Sequence, residues 1–193
     1  MPAAGFAQSS SATRSARGYT GPAIALHWLV GALVIGMLAL GYYMVDVPRG
    51  TPARGQWFNL HKSVGLLGLV LIWTRLGWRI KHPPPALPAD LPAWRVSAAQ
   101  VIHRSLYGCM LLQPLTGYVA SSLGSHGVVF FGLTLPAWAI QAPRLRDALL
   151  TAHHAVALLL VILIGVHVMA ALKDLLFDGR SVVRRMLPRI PER

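Results

Sequence analysis

The 193-residue chain has one cysteine and six acidic residues, and only 12% of it is charged. A lone cysteine, Cys109, excludes an intrachain disulfide and a thiolate metal cluster. Lying inside an apolar run, it reads as a small buried hydrophobe. An ordinary soluble domain is about 25% charged, so this composition excludes a water-soluble globular fold. The shortage of acid leaves a formal net charge of +12. The basic residues fall between apolar runs and form neither a continuous basic domain nor a reading motif, so membrane lipid, and no nucleic acid, is the expected partner.

What the chain has in quantity is apolar: 54% of residues are hydrophobic, with a mean hydropathy of +0.52. Runs at about 22–45, 58–78, 98–123 and 149–177 each approach or exceed the roughly 20 residues that cross a bilayer. The first is longer than the apolar core of a signal peptide and ends without a clear cleavage context, so it reads as a retained span. The stretch KHPPPALPADLPAW after the second run is a stiff connector, because its prolines lack amide donors. The segment GSHGVVFFGLTLPAWAIQAPR after the third is semi-apolar; it either rests on the membrane surface or caps the bundle, with Phe130, Phe131 and Trp138 suited to the interface.

These runs predict an all-α integral membrane protein, a bundle of four transmembrane helices spanning residues 19–180. Flexible and basic tails are expected over 1–18 and 181–193. Arg14, Arg17, Arg75, Arg79, Lys81, Arg95, Arg104 and the C-terminal basic residues fall on one side. Arg49, Arg54, Lys62, Arg144 and Arg146 fall on the other. Positive residues stay preferentially in the cytoplasm, so both termini are expected there.

Eight histidines are present, unusual cargo for such helices. His82 and His126 lie in connecting segments. His153 and His167 are fourteen residues apart on the fourth run, about 21 Å along the axis and nearly four full turns, so they share one face at two depths. His154 is rotated away by about 100°. His27 on the first run matches the depth of His167, and His61 on the second matches that of His153. A bare zinc site would need further ligands that the surroundings lack. Two facing imidazoles suffice for haem iron, whose other four nitrogens come from the porphyrin. Two haems at two depths are therefore one reading; helix-to-helix hydrogen bonds in a haem-free membrane scaffold are the other. Gly31, Gly36, Gly41, Gly65, Gly68, Gly108, Gly117 and Gly165 would let a flat macrocycle or a neighbouring backbone come close.

Five stretches together resemble the prokaryotic cytochrome b561 family: YTGPAIALHWLVGALVI around His27, FNLHKSVGLLGLVLIWTRL around His61, FGLTLP at 131–136, HHAVALLLVILIGVH at 153–167, and RRMLPR at 184–189. The likeness covers about residues 19–190 and is greatest to the superoxide oxidase branch. It implies one haem b held by His27 and His167 and a second held by His61 and His153, with His154 where relatives often carry glutamate. It also implies a multi-pass protein of the bacterial inner membrane that oxidises superoxide to oxygen outside and passes electrons to ubiquinone or another quinone. Lys62, Arg144 and Arg146 are then expected either to steer the superoxide anion or to pair with haem propionates or lipid headgroups. His103, Arg104 and Tyr107 read either as a polar cluster on the quinone side or, for His103, as a buried histidine satisfied by a neighbouring helix. The alternative within the same resemblance is a cytochrome b subunit working between a dehydrogenase or hydrogenase and quinone. A redox protein partner or a homo-oligomer fits that case.

Overall fold

The computed structural model describes residues 18–85, 91–136, 138–177 and 183–187. Most of the two tails expected at the termini lies outside these residues. Four long helices follow in chain order: α1 Gly21–Asp46, α2 Pro52–Lys81, α3 Ala93–Ser122 and α4 Pro143–Phe177, with a short 3-10 turn at Val183–Met186. Proline opens the helices: Pro22 and Pro52 occupy first-turn positions of α1 and α2, Pro92 caps α3, and Pro143 begins α4. There the missing amide costs nothing. Thr51 adds a side-chain cap, accepting from the Arg54 N–H at 3.4 Å.

The turn from α1 to α2 is fastened by Arg54, which donates to Met44 O at 3.5 Å, to Val45 O at 2.9 Å and to Val47 O. A guanidinium among the last carbonyls of a helix satisfies acceptors and meets the negative end of the helix dipole. Its other face lies 5.0 Å from the centre of the Phe58 ring.

Three helices, α1, α2 and α4, are long and apolar enough to cross a membrane. The third in chain order, α3, is 30 residues long like α2, but its first half carries Arg95, Gln100, His103 and Arg104. Packing is closest between α3 and α4 and between α1 and α2, with α2 against α3 completing the row, while α1 and α4 stand apart over most of their length. The buried core is small, with Leu106, Cys109 and Leu160 at its centre. Cys109 is thus a packing residue. Large apolar side chains such as Ile35, Val70, Trp73, Leu158, Ile162 and Met169 lie exposed on the outside, as suits helices that face lipid.

Between α3 and α4 lies a two-stranded hairpin that the apolar runs do not announce. Its strands, β1 Val129–Phe130 and β2 Leu133–Thr134, pair antiparallel with Val129 opposite Thr134. Phe131 and Gly132 both turn with positive φ, 45° and 90°, as a tight two-residue turn demands. The hairpin is tied to the side of α2 through Ser63. Ser63, 2% exposed, accepts from the Phe131 N–H at 2.9 Å and lies 3.2 Å from Val129 O and 2.8 Å from Asn59 O. Phe131, Leu133 and Trp138 remain exposed at the segment's outer surface. Ser63→Ala leaves the part-buried Phe131 amide without its acceptor, a loss of about 0.5–1.5 kcal/mol. Hydrogen exchange at the Phe131 amide should speed up by up to about tenfold, while exchange in the middle of α4 stays unchanged.

Candidate functional site

Facing imidazoles occur at two levels. At the hairpin end, His61 of α2 and His153 of α4 have ring centres 6.3 Å apart at an interplanar angle of 75°. At the terminal end, His27 of α1 and His167 of α4 stand 6.2 Å apart at 70°. Two imidazoles each about 2 Å from one shared metal would have their centres about 6 Å apart, so both spacings fit a single ion between the rings. Among the described residues no three His, Cys, Asp or Glu side chains converge on a metal position. The donor sets therefore suit an ion whose remaining ligands arrive with it, as in haem.

The hairpin-side pair is cradled by glycines. A Cβ on Gly117 of α3 would lie 3.0 Å from His153 Cε1 and 3.3 Å from its Nδ1, and one on Gly41 of α1 would lie 3.3 Å from His61 Cε1. His153 Nδ1 lies 2.9 Å from Gln113 O, a pure acceptor, so that nitrogen carries the proton and Nε2 keeps its lone pair. The Gln113 side-chain amide donates to that lone pair at 3.1 Å. Thr116 Oγ1 is 3.2 Å from Nδ1. His61 Nδ1 is buried and has no hydrogen-bond partner. His154 is exposed and meets His153 only edge to face, at 6.2 Å.

A cavity of about 1150 Å³ opens beside this pair, with Leu33, Met37, Leu38, Leu66 and Ile72 on its apolar walls and Arg49, Arg54, Lys62 and Arg146 among its basic lining. Among the described residues no aspartate or glutamate lines it. The volume slightly exceeds the usual range for small-ligand pockets, which leaves room for a macrocycle. Lys62 Nζ donates to Gly127 O at 3.3 Å, and Arg146 pairs with Asp147 at 3.2 Å. Of the three basic residues singled out in the sequence, Lys62 and Arg146 reach the cavity. Arg144 does not: it is exposed and off the lining, because two residues along a helix turn a side chain about 200° away from Arg146.

At the terminal end His103 of α3 approaches His167, ring centres 5.3 Å apart, with its Nδ1 2.7 Å from Ala99 O. Tyr107, one turn on, lies under two guanidiniums from α2, Arg75 at 5.8 Å and Arg79 at 5.9 Å from its ring centre. Arg75 also reaches His27, its Nη2 3.0 Å from Nδ1. His103 and Tyr107 thus gather as expected, but Arg104 is exposed on another face of α3, and Arg75 and Arg79 stand in the cluster in its stead. In the sequence these two arginines serve only to orient the chain. Their signal is there all the same, since Arg75 lies within an otherwise apolar span, where a charged group needs a partner. Two tryptophans close this end: Trp28 Nε1 donates to Met186 O at 2.8 Å, and Trp78 Nε1 to Thr20 Oγ1 at 3.0 Å.

The glycines divide on the same geometry. Gly41 and Gly117 admit imidazoles, and Gly65 and Gly68 admit Met37 and Leu33 from α1, whereas at Gly31, Gly36, Gly108 and Gly165 an added Cβ would meet nothing within 4 Å.

The family model described as prokaryotic cytochrome b561 matches residues 18–189. The chain is 33% identical over 165 residues to "Cytochrome b561 homolog 2" of Escherichia coli (strain K12), covering 84% of this chain and 87% of that protein. It is 29% identical over 169 residues to "Probable superoxide oxidase CybB" of Yersinia pestis, covering 86% and 93%. "Cytochrome b561 homolog 1" of E. coli is 25% identical over 170 residues, covering 86% and 94%. The protein thus belongs to the prokaryotic cytochrome b561 family, a family of membrane-bound electron-transfer proteins that bind haem b.

Proposed function

We propose that the chain is a dihaem superoxide:quinone oxidoreductase of the bacterial inner membrane, with four crossings, both termini in the cytoplasm and residues 19–180 as the membrane domain. The observation that carries the reading is the pair of matched imidazole spacings, 6.3 Å and 6.2 Å, set at two levels by three different helices. His61 and His153 hold the periplasmic haem, and His27 and His167 hold the cytoplasmic one. Bound haem supplies reversible one-electron transfer at each level.

The remaining residues bind and orient. Lys62 and Arg146 attract an anion and raise its local concentration, Arg146 with part of its charge already met by Asp147. Gln113 O holds the His153 ring by its Nδ1–H, which keeps Nε2 directed away from that anchor. His103 and Tyr107 offer polar groups to a quinone headgroup at the cytoplasmic end. Each superoxide gives up one electron and leaves as oxygen; a quinone takes two such electrons and two protons to become quinol. The likeness to a relative named as a probable superoxide oxidase supports the choice of donor.

The test mixes purified protein with a superoxide source, follows haem reduction by absorbance, and then adds quinone. Fast reduction is expected, followed by reoxidation on quinone addition. Lys62→Gln with Arg146→Gln should slow the reduction about tenfold at low salt and flatten its salt dependence. Reduction no faster than in His61→Ala would sink the superoxide assignment and favour a protein donor in its place.

A further inference from the structure

The two levels differ in how their histidines are held. His153 Nδ1 faces a carbonyl and therefore carries the proton, so its Nε2 is ready to bind a metal. His103 Nδ1 faces a carbonyl in the same way. His27 is held in the opposite sense. Its Nδ1 lies 3.0 Å from Arg75 Nη2, and a guanidinium has hydrogens to give and no lone pair to receive one. His27 Nδ1 must accept, which places the ring proton on Nε2.

That contact is incompatible with ordinary ligation by a neutral imidazole. If iron binds Nε2, Nδ1 carries the proton and two donors confront each other at 3.0 Å. If iron binds Nδ1, the guanidinium occupies the metal's place. On either nitrogen Arg75 has to leave. An arginine half-buried in a span does not leave for nothing; it needs an anion, and its fork matches a carboxylate best. A second guanidinium, Arg79, lies one turn away against the same Tyr107 ring. Among the described residues no aspartate or glutamate pairs with either arginine. Beyond His27 and Tyr107, Arg75 reaches among the described residues only a distant backbone acceptor, Ala23 O at 3.5 Å.

We infer that Arg75 and Arg79 form a carboxylate site at the cytoplasmic level, and that a propionate carboxylate of the incoming haem draws Arg75 off His27 as iron takes the imidazole. Loading of this level then requires two recognitions at once, carboxylate by α2 and iron by α1 and α4. The hairpin-side level needs no such exchange. There the group in front of His153 Nε2 is the neutral Gln113 amide, which is cheaper to displace. This inference rests on the dihaem reading above.

The test uses the full chain carrying His61→Ala, which leaves only the cytoplasmic level to load, synthesised without haem into lipid nanodiscs. Haem b and its dimethyl ester, in which both carboxylates are blocked, are titrated separately and followed by Soret absorbance. The ester should bind at least about tenfold more weakly than haem b, the loss expected when a charged hydrogen-bonded pair is removed. Adding Arg75→Gln and Arg79→Gln should bring the two ligands to similar affinity, while Arg75→Lys should keep part of the preference. Equal binding of ester and haem b to the His61→Ala chain overturns the inference, as does a full preference that survives loss of both arginines. If the double variant binds neither ligand, Arg75→Lys decides: no preference there overturns the carboxylate site. Adding His27→Ala separates the two claims. Haem b binding that ignores His27 defeats the dihaem reading itself, whereas His27-dependent binding without preference defeats only the carboxylate site.

Discussion

His153→Ala should purify with one haem per chain, and His154→Ala with two. The doublet is adjacent in sequence but separated by about 100° around α4, and only His153 is half-buried opposite His61. His153 faces His61 at 6.3 Å, is anchored through Nδ1 to Gln113 O, and rests against the bare backbone of Gly117. Its loss leaves His61 without the ring that faces it; His154 also lines the cavity but is exposed and lies on another face of α4. His154 makes one edge contact and no hydrogen bond to any residue of the pair. The ratio of extracted haem to protein reads the outcome directly, a fall from two to one against no change. The opposite pattern, with haem lost from His154→Ala and kept in His153→Ala, would overturn the assignment of the ligand.

The feature most readily read from sequence is this helix face. A step of fourteen residues is close to a whole number of turns, so the co-facing of His153 and His167 needs only helix geometry. The same arithmetic, pressed further, separates other residues that sequence proximity groups together. His103 and Tyr107 are four apart and share a face of α3, whereas Arg104 is one residue on and faces elsewhere. Arg144 and Arg146 divide in the same way. Relations between helices are less legible. The approach of Arg75 to His27 depends on the rotation of α2 against α1, and the sequence of neither helix specifies that rotation alone. The Arg54 clamp on the end of α1 arises because the turn at 47–51 is short enough to bring α2 back beneath those carbonyls. The hairpin is hidden for another reason: its strands are two residues each, too short for alternation to register, and Phe131 takes a positive φ that bulky side chains rarely adopt. Only Gly132 gives a local sign of the turn.

Gly117→Val should empty the hairpin-side level while Gly108→Ala, nine residues earlier in the same helix, leaves both haems in place and firms the fold. Both glycines lie inside α3, where each costs roughly 0.5–1 kcal/mol relative to alanine through backbone freedom in the unfolded chain. At Gly108, exposed with nothing within 4 Å of an added Cβ, that cost is recovered on substitution, and haem should be retained to a temperature a few degrees higher. At Gly117 the added atom stands 3.0 Å from His153 Cε1, and the yielding party is not a flexible chain end but a ring pinned by its hydrogen bond to Gln113 O, one turn away. Even Ala at this position must push the ring by a few tenths of an ångström. Valine adds two further methyls on a stiff χ1, so the ring must leave the Gln113 carbonyl and lose both its direction and the proton placement that keeps Nε2 available. Gly41→Ala, at 3.3 Å from His61, is the milder case and should weaken the same haem without abolishing it. Haem content and the absorbance of the remaining haem, compared across Gly117→Ala, Gly117→Val and Gly41→Ala, give the series its order. Full haem content in Gly117→Val would mean that His153 can bind from another rotamer and that the close approach to the backbone is not what positions it.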